Sequence, residues 1–258
     1  MNEITILGAY GTKGEETETS SFWVDAHNVI DAGNLLRSLK ADSAQIEAIW
    51  LTHSHLDHII DIAYILDSYF ADRTKPLKLM GLPQTLEAIQ KHFLNDIIWP
   101  DFSKIKLMYS DAMSVEYHPI ELAEVYQLDE STSIEAFKTD HTVASCGFIV
   151  RRSSTALLIT ADTYELESVF DAVKVHNEIT AVVIECSFPS SMRHLAQESK
   201  HLTPELLFEK IRPLDASGLK LYINHIKPLY EDKIREEIAQ KKGIWECKVL
   251  KDGDKILF

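Results

Sequence analysis

The chain has 258 residues, of which 45% are hydrophobic, and it carries a formal net charge of −14 at pH 7. This length can bury a substantial core, whereas the acidic balance argues against a surface that binds nucleic acid by general phosphate neutralisation. The three cysteines form no CxxC pair. The start of the chain lacks a signal-peptide pattern, and no apolar run approaches the roughly 20 residues of a membrane helix. We therefore expect one cytoplasmic domain over residues 1–258.

The first third of the chain predicts short strands at residues 4–7, 21–24, 29–30 and 48–51. Segment 11–19, between the first two strands, contains glycine and acidic residues and is typical of a surface loop. Apolar residues at helical spacing predict a helix over 61–70, and Pro83 at a first helical position predicts another over 83–93.

The middle of the chain predicts a run of strands, at 104–108, 114–117, 124–128, 133–139, 147–150 and 156–160, which favours an antiparallel sheet. Afterwards the patterns alternate, with a helix at 165–175, a strand at 181–184, a helix at 204–211, a strand at 219–223, a helix at 231–240 and two closing strands. The whole order of elements predicts two packed sheets with helices on their outer faces.

Four potential metal ligands follow the strand at 48–51 directly, and they are His53, His55, Asp57 and His58. Two histidines two residues apart point the same way from an extended chain, whereas the adjacent Asp57 and His58 must diverge. One turn can therefore offer two pairs of ligands to two neighbouring metals. Imidazole and carboxylate ligands suit Zn²⁺ first, and Mn²⁺ or iron second.

Three later residues, His141, Asp162 and His225, each follow a predicted strand. A layered sheet delivers the residues at its strand ends to one edge, where active sites usually lie. Taken singly, each of the three is as consistent with a surface or satisfied core residue as with a metal ligand.

The spacing H-x-H-x-D-H after a strand, followed by a distant His, Asp and His, resembles the metallo-β-lactamase superfamily. The stretch Asp31-Ala32-Gly33 also resembles its strand ending in Asp-x-Gly. Three segments resemble the class II cyclic-nucleotide phosphodiesterases within it, namely HSHLDHI at 53–59, HFLNDIIWPDF at 92–102 and HIKP at 225–228. One departure follows the first motif, because Ile60-Asp61-Ile62 stands where the resembled family more usually has a small residue.

This resemblance implies a four-layer αββα fold, of mixed α and β class, with two metals where the sheets meet. It assigns His53, His55 and His141 to one metal, Asp57, His58 and His225 to the other, and Asp162 to the bridge between them. It also marks the stretches beginning at Glu185 and His201, which resemble the Glu and His stretches shared with tRNA-processing enzymes of the ribonuclease Z type.

Several further residues can be interpreted either as functional or as structural. His201 is predicted as a proton donor oriented by Glu185, or alternatively as a loop residue before a helix. Asn95, Trp99 and Phe102 are predicted to contact a purine, although core packing also accounts for Trp99. Lys227 either helps to hold phosphate or is a solvated charge.

The predicted function is hydrolysis of 3′,5′-cyclic AMP, with cyclic GMP as an open second substrate, to the 5′ monophosphate. Two Zn²⁺ ions are the expected cofactors, and Asp57, Glu185 and His201 are the expected catalytic residues. Two alternatives remain: a tRNA 3′-end endonuclease of the ribonuclease Z type, and a non-catalytic nucleotide-binding or metal-sensing module. The resemblance also makes a homodimer plausible.

Overall fold

The computed structural model describes residues 2–214 and 218–258. It contains two seven-stranded β-sheets. The first sheet contains β1 (Glu3–Gly8), β2 (Ser21–Trp23), β3 (Asn28–Ile30), β4 (Ala48–Leu51), β5 (Leu77–Gly81), β6 (Val115–Pro119) and β14 (Lys255–Leu257). Its strand order is β14-β1-β2-β3-β4-β5-β6. The strands from β14 to β3 pair antiparallel, whereas those from β3 to β6 run parallel.

The second sheet contains β7 (Val125–Gln127), β8 (Thr132–Lys138), β9 (Cys146–Arg152), β10 (Thr155–Ile159), β11 (Ile179–Glu185), β12 (Lys220–Asn224) and β13 (Cys247–Val249). Its order is β13-β12-β11-β10-β9-β8-β7. The strands from β7 to β10 are antiparallel, as the middle of the sequence predicted, and those from β10 to β13 are parallel.

Helices cover the outer face of each sheet. Buried residues of α1 (Leu36–Leu39), α2 (Leu56–Ser68) and α3 (Pro83–His92) form one apolar cluster with β3, β4 and β5. Residues of α4 (Glu167–Val175), α5 (Arg193–Glu198), α6 (Pro204–Lys210) and α7 (Glu231–Lys241) join a second cluster with the second sheet.

The inner faces of the two sheets share this second cluster. Phe22 of β2 and Phe148 of β9 are both fully buried in it. Burial of one such aromatic side chain stabilises the fold by about 1.5–3 kcal/mol. The four layers of the predicted αββα fold are therefore confirmed. None of the helices in the described ranges is long and apolar enough to cross a membrane.

The predicted helix over 61–70 was placed too late, because α2 begins at Leu56. Its first turn carries Asp57 and His58, which interrupt the apolar pattern, and His55 is the extended residue before it. Asp61, unusual after the motif, is buried and accepts hydrogen bonds from the backbone N–H groups of Leu35 and Leu36 at 2.6 and 3.0 Å. It therefore fixes the start of α1.

The predicted strand at 104–108 is wrong. A short 3-10 turn, Phe102–Lys104, is held by Asp101, whose carboxylate accepts from the backbone N–H of Ser103. Leu107 is buried and Ile105 is partly buried, which explains the alternating pattern. The backbone here forms an isolated bridge between Lys106 and Met113 and does not join either sheet as a strand.

Four further strands differ from the predictions. The strand β5 was not predicted, and β6, predicted within the antiparallel run, instead pairs parallel with β5 in the first sheet. The two closing strands lie in different sheets, since β13 pairs with β12 and β14 pairs with β1.

Candidate metal centre

The predicted metal ligands converge on one site from distant parts of the chain. They lie in the turn after β4 and the first turn of α2 (His53, His55, Asp57, His58), after β8 (His141), after β10 (Asp162) and after β12 (His225). Strand ends from both sheets therefore supply the site.

Three strands reach this site through left-handed backbone conformations. The φ angle is 57° at Asp31, 54° at Ala161 and 61° at His225. Each non-glycine residue in this region costs roughly 1–2 kcal/mol. The turns redirect the chain where Asp162 and His225 enter the site, and such retained strain is typical of functional positions.

Two glycines allow the backbone to approach the ligands closely. A Cβ atom on Gly33 would lie 2.1 Å from the carbonyl oxygen of Asp57, and one on Gly11 would lie 2.6 Å from Cε1 of His225. Both positions exclude any larger residue without movement of the site.

The first ligand cluster contains His53, His55, His141 and Asp162, with one ligand atom of each within 4.8 Å of the others. Oδ2 of Asp162 lies 3.6 Å from Nε2 of His53 and 3.7 Å from Nε2 of His141. Nδ1 of His55 lies 3.1 Å from Nε2 of His141.

The second cluster contains Asp57, His58 and His225. Nε2 of His225 lies 3.4 Å from Oδ2 of Asp57 and 3.3 Å from Nε2 of His58. Asp162 reaches this cluster too, because its Oδ1 lies 3.2 Å from Nε2 of His225 and its Oδ2 lies 3.6 Å from Nε2 of His58. One carboxylate thus faces both clusters.

Hydrogen bonds on the far side of the rings orient the histidines. Nδ1 of His58 lies 2.7 Å from the Asp31 carboxylate, and Nδ1 of His141 lies 3.2 Å from the carbonyl oxygen of Lys200. A carboxylate and a carbonyl oxygen only accept hydrogen bonds, so we assign the proton to Nδ1 in both rings. Nε2 of each ring then faces the site, where its neutral form can bind a metal.

The donor set fits a divalent cation. Among the described residues, Nε2 of His53 and Oδ1 of Asp162 are buried without a hydrogen-bond partner. Burial lowers the pKa of His53 and His55, and it lowers the pKa of His141 to about 4. These imidazoles are therefore neutral at pH 7, which is the form that binds metals. The clusters are suited to divalent metal binding.

A buried hydrogen-bonded group adjoins the second cluster. Glu185 Oε1 lies 2.8 Å from Nδ1 of His201, and Oε2 accepts from the hydroxyl of Ser187 at 3.0 Å. Oγ of Ser187 also lies 2.9 Å from Nδ1 of His225. The contacts connect a predicted metal ligand with the predicted proton donor through one hydroxyl and one carboxylate.

The surroundings of His201 favour its protonated form. Burial lowers the pKa of His201, but the charge and hydrogen bond of Glu185 outweigh this effect and raise the pKa to about 8. Because Nδ1 faces Glu185, Nε2 is the atom free to carry a proton, and a ring nitrogen of His201 lies within 4.8 Å of ligand atoms of Asp162 and His225.

Lys227 lies half-buried beside the second cluster. Its ammonium group donates to the carbonyl oxygen of Gly11, and the side chain lines a cavity of about 430 Å³ together with Lys13 and Asp57. The contact with Gly11 shows that Lys227 is positioned by the protein rather than simply solvated.

Asn95, the predicted hydrogen-bonding partner of a purine, is occupied by its own turn. Its Oδ1 accepts from the backbone N–H groups of Ile97 and Ile98 at 3.1 and 2.8 Å, and its Nδ2 donates to the carbonyl oxygen of Lys91. The geometry therefore supports a role in shaping the turn.

The two predicted aromatic contacts differ in their surroundings. Phe102 is only 5% exposed and packs on Phe70, with ring centroids 5.9 Å apart, which leaves no ring face for a purine. Trp99 lies edge-on to Tyr64 and lines an open cleft. The structure therefore supports Trp99 rather than Phe102 as a ligand contact.

Sequence reasoning did not assign roles to three residues that hold the ligand rings, namely Asp31, Thr52 and Ser187. Oγ1 of Thr52 lies 2.8 Å from Asp31 and 3.0 Å from Nδ1 of His53. The Asp-x-Gly turn at a strand end was a usable signal for Asp31. Thr52 and Ser187 lie one and two residues from predicted site residues, and only the geometry distinguishes them.

Sequence comparisons identify two kinds of similar protein. The family model of class-II cAMP phosphodiesterases matches residues 15–241. The 3′,5′-cyclic-nucleotide phosphodiesterase 1 of Saccharomyces cerevisiae is 27% identical over an alignment of 261 positions, which covers 82% of this chain and 70% of that protein. A ribonuclease Z of Mycolicibacterium gilvum is 31% identical over an alignment of 133 positions, which covers 46% of this chain and 44% of that protein.

Solved structures with the same fold superpose over nearly the whole chain. Unliganded yeast PDE1 gives a TM-score of 0.81 at 21% identity, with 99% of each chain covered. The metallo-beta-lactamase fold protein YhfI of Bacillus subtilis gives 0.75 at 19% identity, with 98% of each chain covered. These likenesses confirm the predicted metallo-β-lactamase fold.

Proposed function

Since the chain belongs to the class-II cAMP phosphodiesterases, we propose that its metal centre hydrolyses 3′,5′-cyclic nucleotides to 5′-nucleoside monophosphates. Cyclic AMP is the expected substrate, and cyclic GMP is the second nucleotide to test. The observation that carries the proposal is the Asp162 carboxylate, which faces two ligand clusters beside the Glu185–His201 pair.

We propose two Zn²⁺ ions as the cofactors, with Mn²⁺ or iron as alternatives. His53, His55 and His141 would hold one ion, Asp57, His58 and His225 the other, and Asp162 both, which the clustering of their ligand atoms supports. When bound, two such ions supply Lewis acidity for the phosphate and activate water at neutral pH.

His201 is proposed as the general acid of the reaction. The 3′ oxygen of the ribose is a basic leaving group, so it needs a proton as its bond to phosphorus breaks. Glu185 fixes the ring through Nδ1, which leaves Nε2 to deliver that proton. His201 is only 8% exposed, so the orientation of its ring is maintained by the protein.

Asp57 and Lys227 are proposed to act on the other side of the site. Burial raises the pKa of Asp57, but the neighbouring His58 and His225 hold it well below its usual range. Asp57 is therefore a carboxylate at neutral pH, available as a ligand and as an acceptor that orients the attacking water. Lys227 offers a positive charge to a non-bridging phosphate oxygen.

The main alternative, a tRNA 3′-end endonuclease, draws support from the partial similarity to ribonuclease Z. The net charge of −14 disfavours it, because gripping tRNA requires clustered basic side chains. A non-catalytic nucleotide-binding module is disfavoured by the complete set of ligands at the site.

A substrate panel tests the proposal. The Zn²⁺-loaded protein should hydrolyse 3′,5′-cyclic AMP in preference to 2′,3′-cyclic AMP, and it should leave linear RNA intact. Cleavage of a tRNA precursor with a comparable kcat/KM would transfer the assignment to the ribonuclease Z type. Binding of labelled tRNA across a salt titration gives the matching comparison of affinity.

The cytoplasm is the proposed location. Cys146, Cys186 and Cys247 are free thiols, and an odd number of cysteines suits a reducing compartment. Homodimer formation stays a prediction from the family resemblance.

A further inference from the structure

We propose that Asp252, in the turn between β13 and β14, is a positioning residue for the basic side of the metal centre. It clamps the loop 9–18, which connects β1 with β2 and carries Lys13. The inference rests on the proposed hydrolysis of cyclic nucleotides, because it concerns the side of the site that would bind the phosphate.

One carboxylate holds both ends of this loop. Oδ1 of Asp252 accepts from the backbone N–H of Ala9 at 2.8 Å, and Oδ2 accepts from that of Glu18, also at 2.8 Å. Hydrogen bonds to a charged acceptor are roughly twice as strong as those between neutral groups. The turn near the end of the chain therefore fixes where the loop begins and where it ends.

The first end of the loop is bonded to the segment that carries a predicted metal ligand. The carbonyl oxygen of Ala9 accepts from the backbone N–H of His225 at 2.6 Å. The backbone N–H of Gly11 donates to the carbonyl oxygen of Ile226 at 3.1 Å, and the ammonium group of Lys227 donates to the carbonyl oxygen of Gly11. The clamped end of the loop therefore positions this segment and its lysine.

The second end of the loop holds Lys13. The side chain of Glu18 is buried, and its carboxylate lies 3.3 Å from the ammonium group of Lys13 and 2.5 Å from the guanidinium group of Arg37. The side chain of Lys13 is 54% exposed, and a long exposed side chain samples many rotamers unless a partner restricts it. Glu18 is that partner, and Asp252 holds the backbone of Glu18.

The loop therefore determines how two lysines face the site. Lys13 and Lys227 line a cavity of about 430 Å³ together with the predicted ligand Asp57. Positive charges that are fixed in place beside the reacting phosphate stabilise its negative charge. Asp252 does not line this cavity, so its effect on a substrate passes through the loop.

The turn that carries Asp252 is held independently of the clamp. The backbone N–H of Gly253 donates to the carbonyl oxygen of Ile6 at 2.8 Å, and the backbone N–H of Ile6 donates to the carbonyl oxygen of Asp254 at 2.9 Å. The φ angle of Gly253 is 82°, which glycine adopts without strain. Removing the Asp252 carboxylate should therefore release the loop while the turn and β14 keep their places.

Two variants and a matched control test this inference. D252A removes both hydrogen bonds, whereas D252N keeps one acceptor oxygen. D129A is the control, because Asp129 also accepts from two backbone N–H groups, those of Ser131 at 2.6 Å and Thr132 at 2.8 Å. Its turn lies between β7 and β8, at the opposite end of β8 from His141.

Hydrogen–deuterium exchange of the metal-free protein measures the clamp itself. In D252A, the amides of the loop 9–18 should exchange about tenfold faster than in the wild type, because two charge-assisted hydrogen bonds are lost, while those of β14 stay protected. D252N should lie between D252A and the wild type, and D129A should match the wild type in this loop.

Binding of inorganic phosphate to the Zn²⁺-loaded protein, followed by calorimetry, measures the consequence for the site. D252A should bind phosphate about tenfold more weakly, the scale of one hydrogen bond to a charged group. KM for cyclic AMP should rise by a similar factor, with a smaller change in kcat. In the K13A/K227A variant, adding D252A should cause no further loss, because the clamp acts through these lysines.

The outcomes separate the inference from the proposed function. Unchanged exchange of the loop in D252A would overturn the clamp. Faster exchange without weaker binding of phosphate, an equal loss in D129A, or a further loss in the K13A/K227A variant would overturn its role at the site. A wild type that binds phosphate as expected but does not hydrolyse cyclic AMP would instead refute the proposed function alone.

Discussion

At Asp162, one buried carboxylate faces the Nε2 atoms of His53, His58, His141 and His225 at 3.2 to 3.7 Å. Only a residue shared by both clusters should affect both metals when it is removed. We therefore expect D162A to lose Zn²⁺ from both sites and H141A to lose it mainly from one.

Equilibrium dialysis against a fixed concentration of free Zn²⁺, followed by elemental analysis, measures this difference. D171A, at an exposed aspartate of α4, is the control and should retain the wild-type metal content. The same loss of metal in D162A and H141A would remove the bridging assignment of Asp162.

The contribution of His201 to the rate should depend on the leaving group of the substrate. A general acid contributes roughly 10²–10⁴-fold when a basic alkoxide departs, whereas a nitrophenolate leaves without a proton. H201A should therefore lose about that factor in kcat/KM for cyclic AMP and much less for bis(p-nitrophenyl) phosphate, with its metal content unchanged.

Two further variants give this comparison its controls. E185Q should show the same selectivity in milder form, because it weakens the orientation of His201 without removing the proton carrier. H194A, at an exposed histidine of α5, should change neither substrate. If H201A slowed both substrates equally, His201 would be positioning phosphate or metal instead.

The candidate ligands could be predicted from the sequence, because metal-binding residues must be chemically distinctive and several of them lie within one short motif. The residues that orient them could not be predicted in the same way. Ser187 acts only because β11 and β12 bring it within 2.9 Å of His225, and serine is common in ordinary loops. Phe102 has the chemistry of a base contact, but packing places it in the core.

Among the elements, α1 depends on a residue of α2. The Asp61 carboxylate satisfies the backbone N–H groups of Leu35 and Leu36, which begin this short helix. Burial raises the pKa of Asp61, whereas these two hydrogen bonds favour its charged form. D61A should therefore reduce the free energy of unfolding by about 1–3 kcal/mol, the usual cost of leaving buried donors unpaired.

Chemical denaturation of the metal-free protein measures this loss without a contribution from metal binding. D67A, at an exposed position of the same helix, is the control, and D61N should lose less than D61A because an amide oxygen can still accept. Equal stability of D61A and D67A would show that Asp61 does not hold the start of α1.

Element boundaries were least predictable where candidate metal ligands interrupt the apolar pattern. The start of α2 carries Asp57 and His58, so the apolar periodicity that reveals a helix begins only after them. The segment 104–108 shows the opposite case. Its alternating pattern reflects the burial of Leu107 and the packing of Ile105 against the apolar cluster of the first sheet, and periodicity alone does not distinguish burial from strand pairing.

For the whole molecule, the layered architecture follows from the order of strand and helix patterns, but the pairing of distant strands does not. The register of β14 on β1 joins opposite ends of the chain, from Glu3↔Leu257 to Thr5↔Lys255. The residues of β14 alone do not indicate that it pairs with β1 rather than with β13, the strand that precedes it in the chain. The site depends on such long-range assembly, because its ligands come from strand ends in both sheets.

The most direct test of the account is a titration of metal-free protein with Zn²⁺ while the hydrolysis of 3′,5′-cyclic AMP is followed. Seven ligands exceed what one tetrahedral zinc ion uses, so activity should rise to a plateau at about two equivalents per chain, with 5′-AMP as the product. A plateau at one equivalent, or the absence of 5′-AMP at full metal occupancy, would contradict a dinuclear cyclic-nucleotide phosphodiesterase.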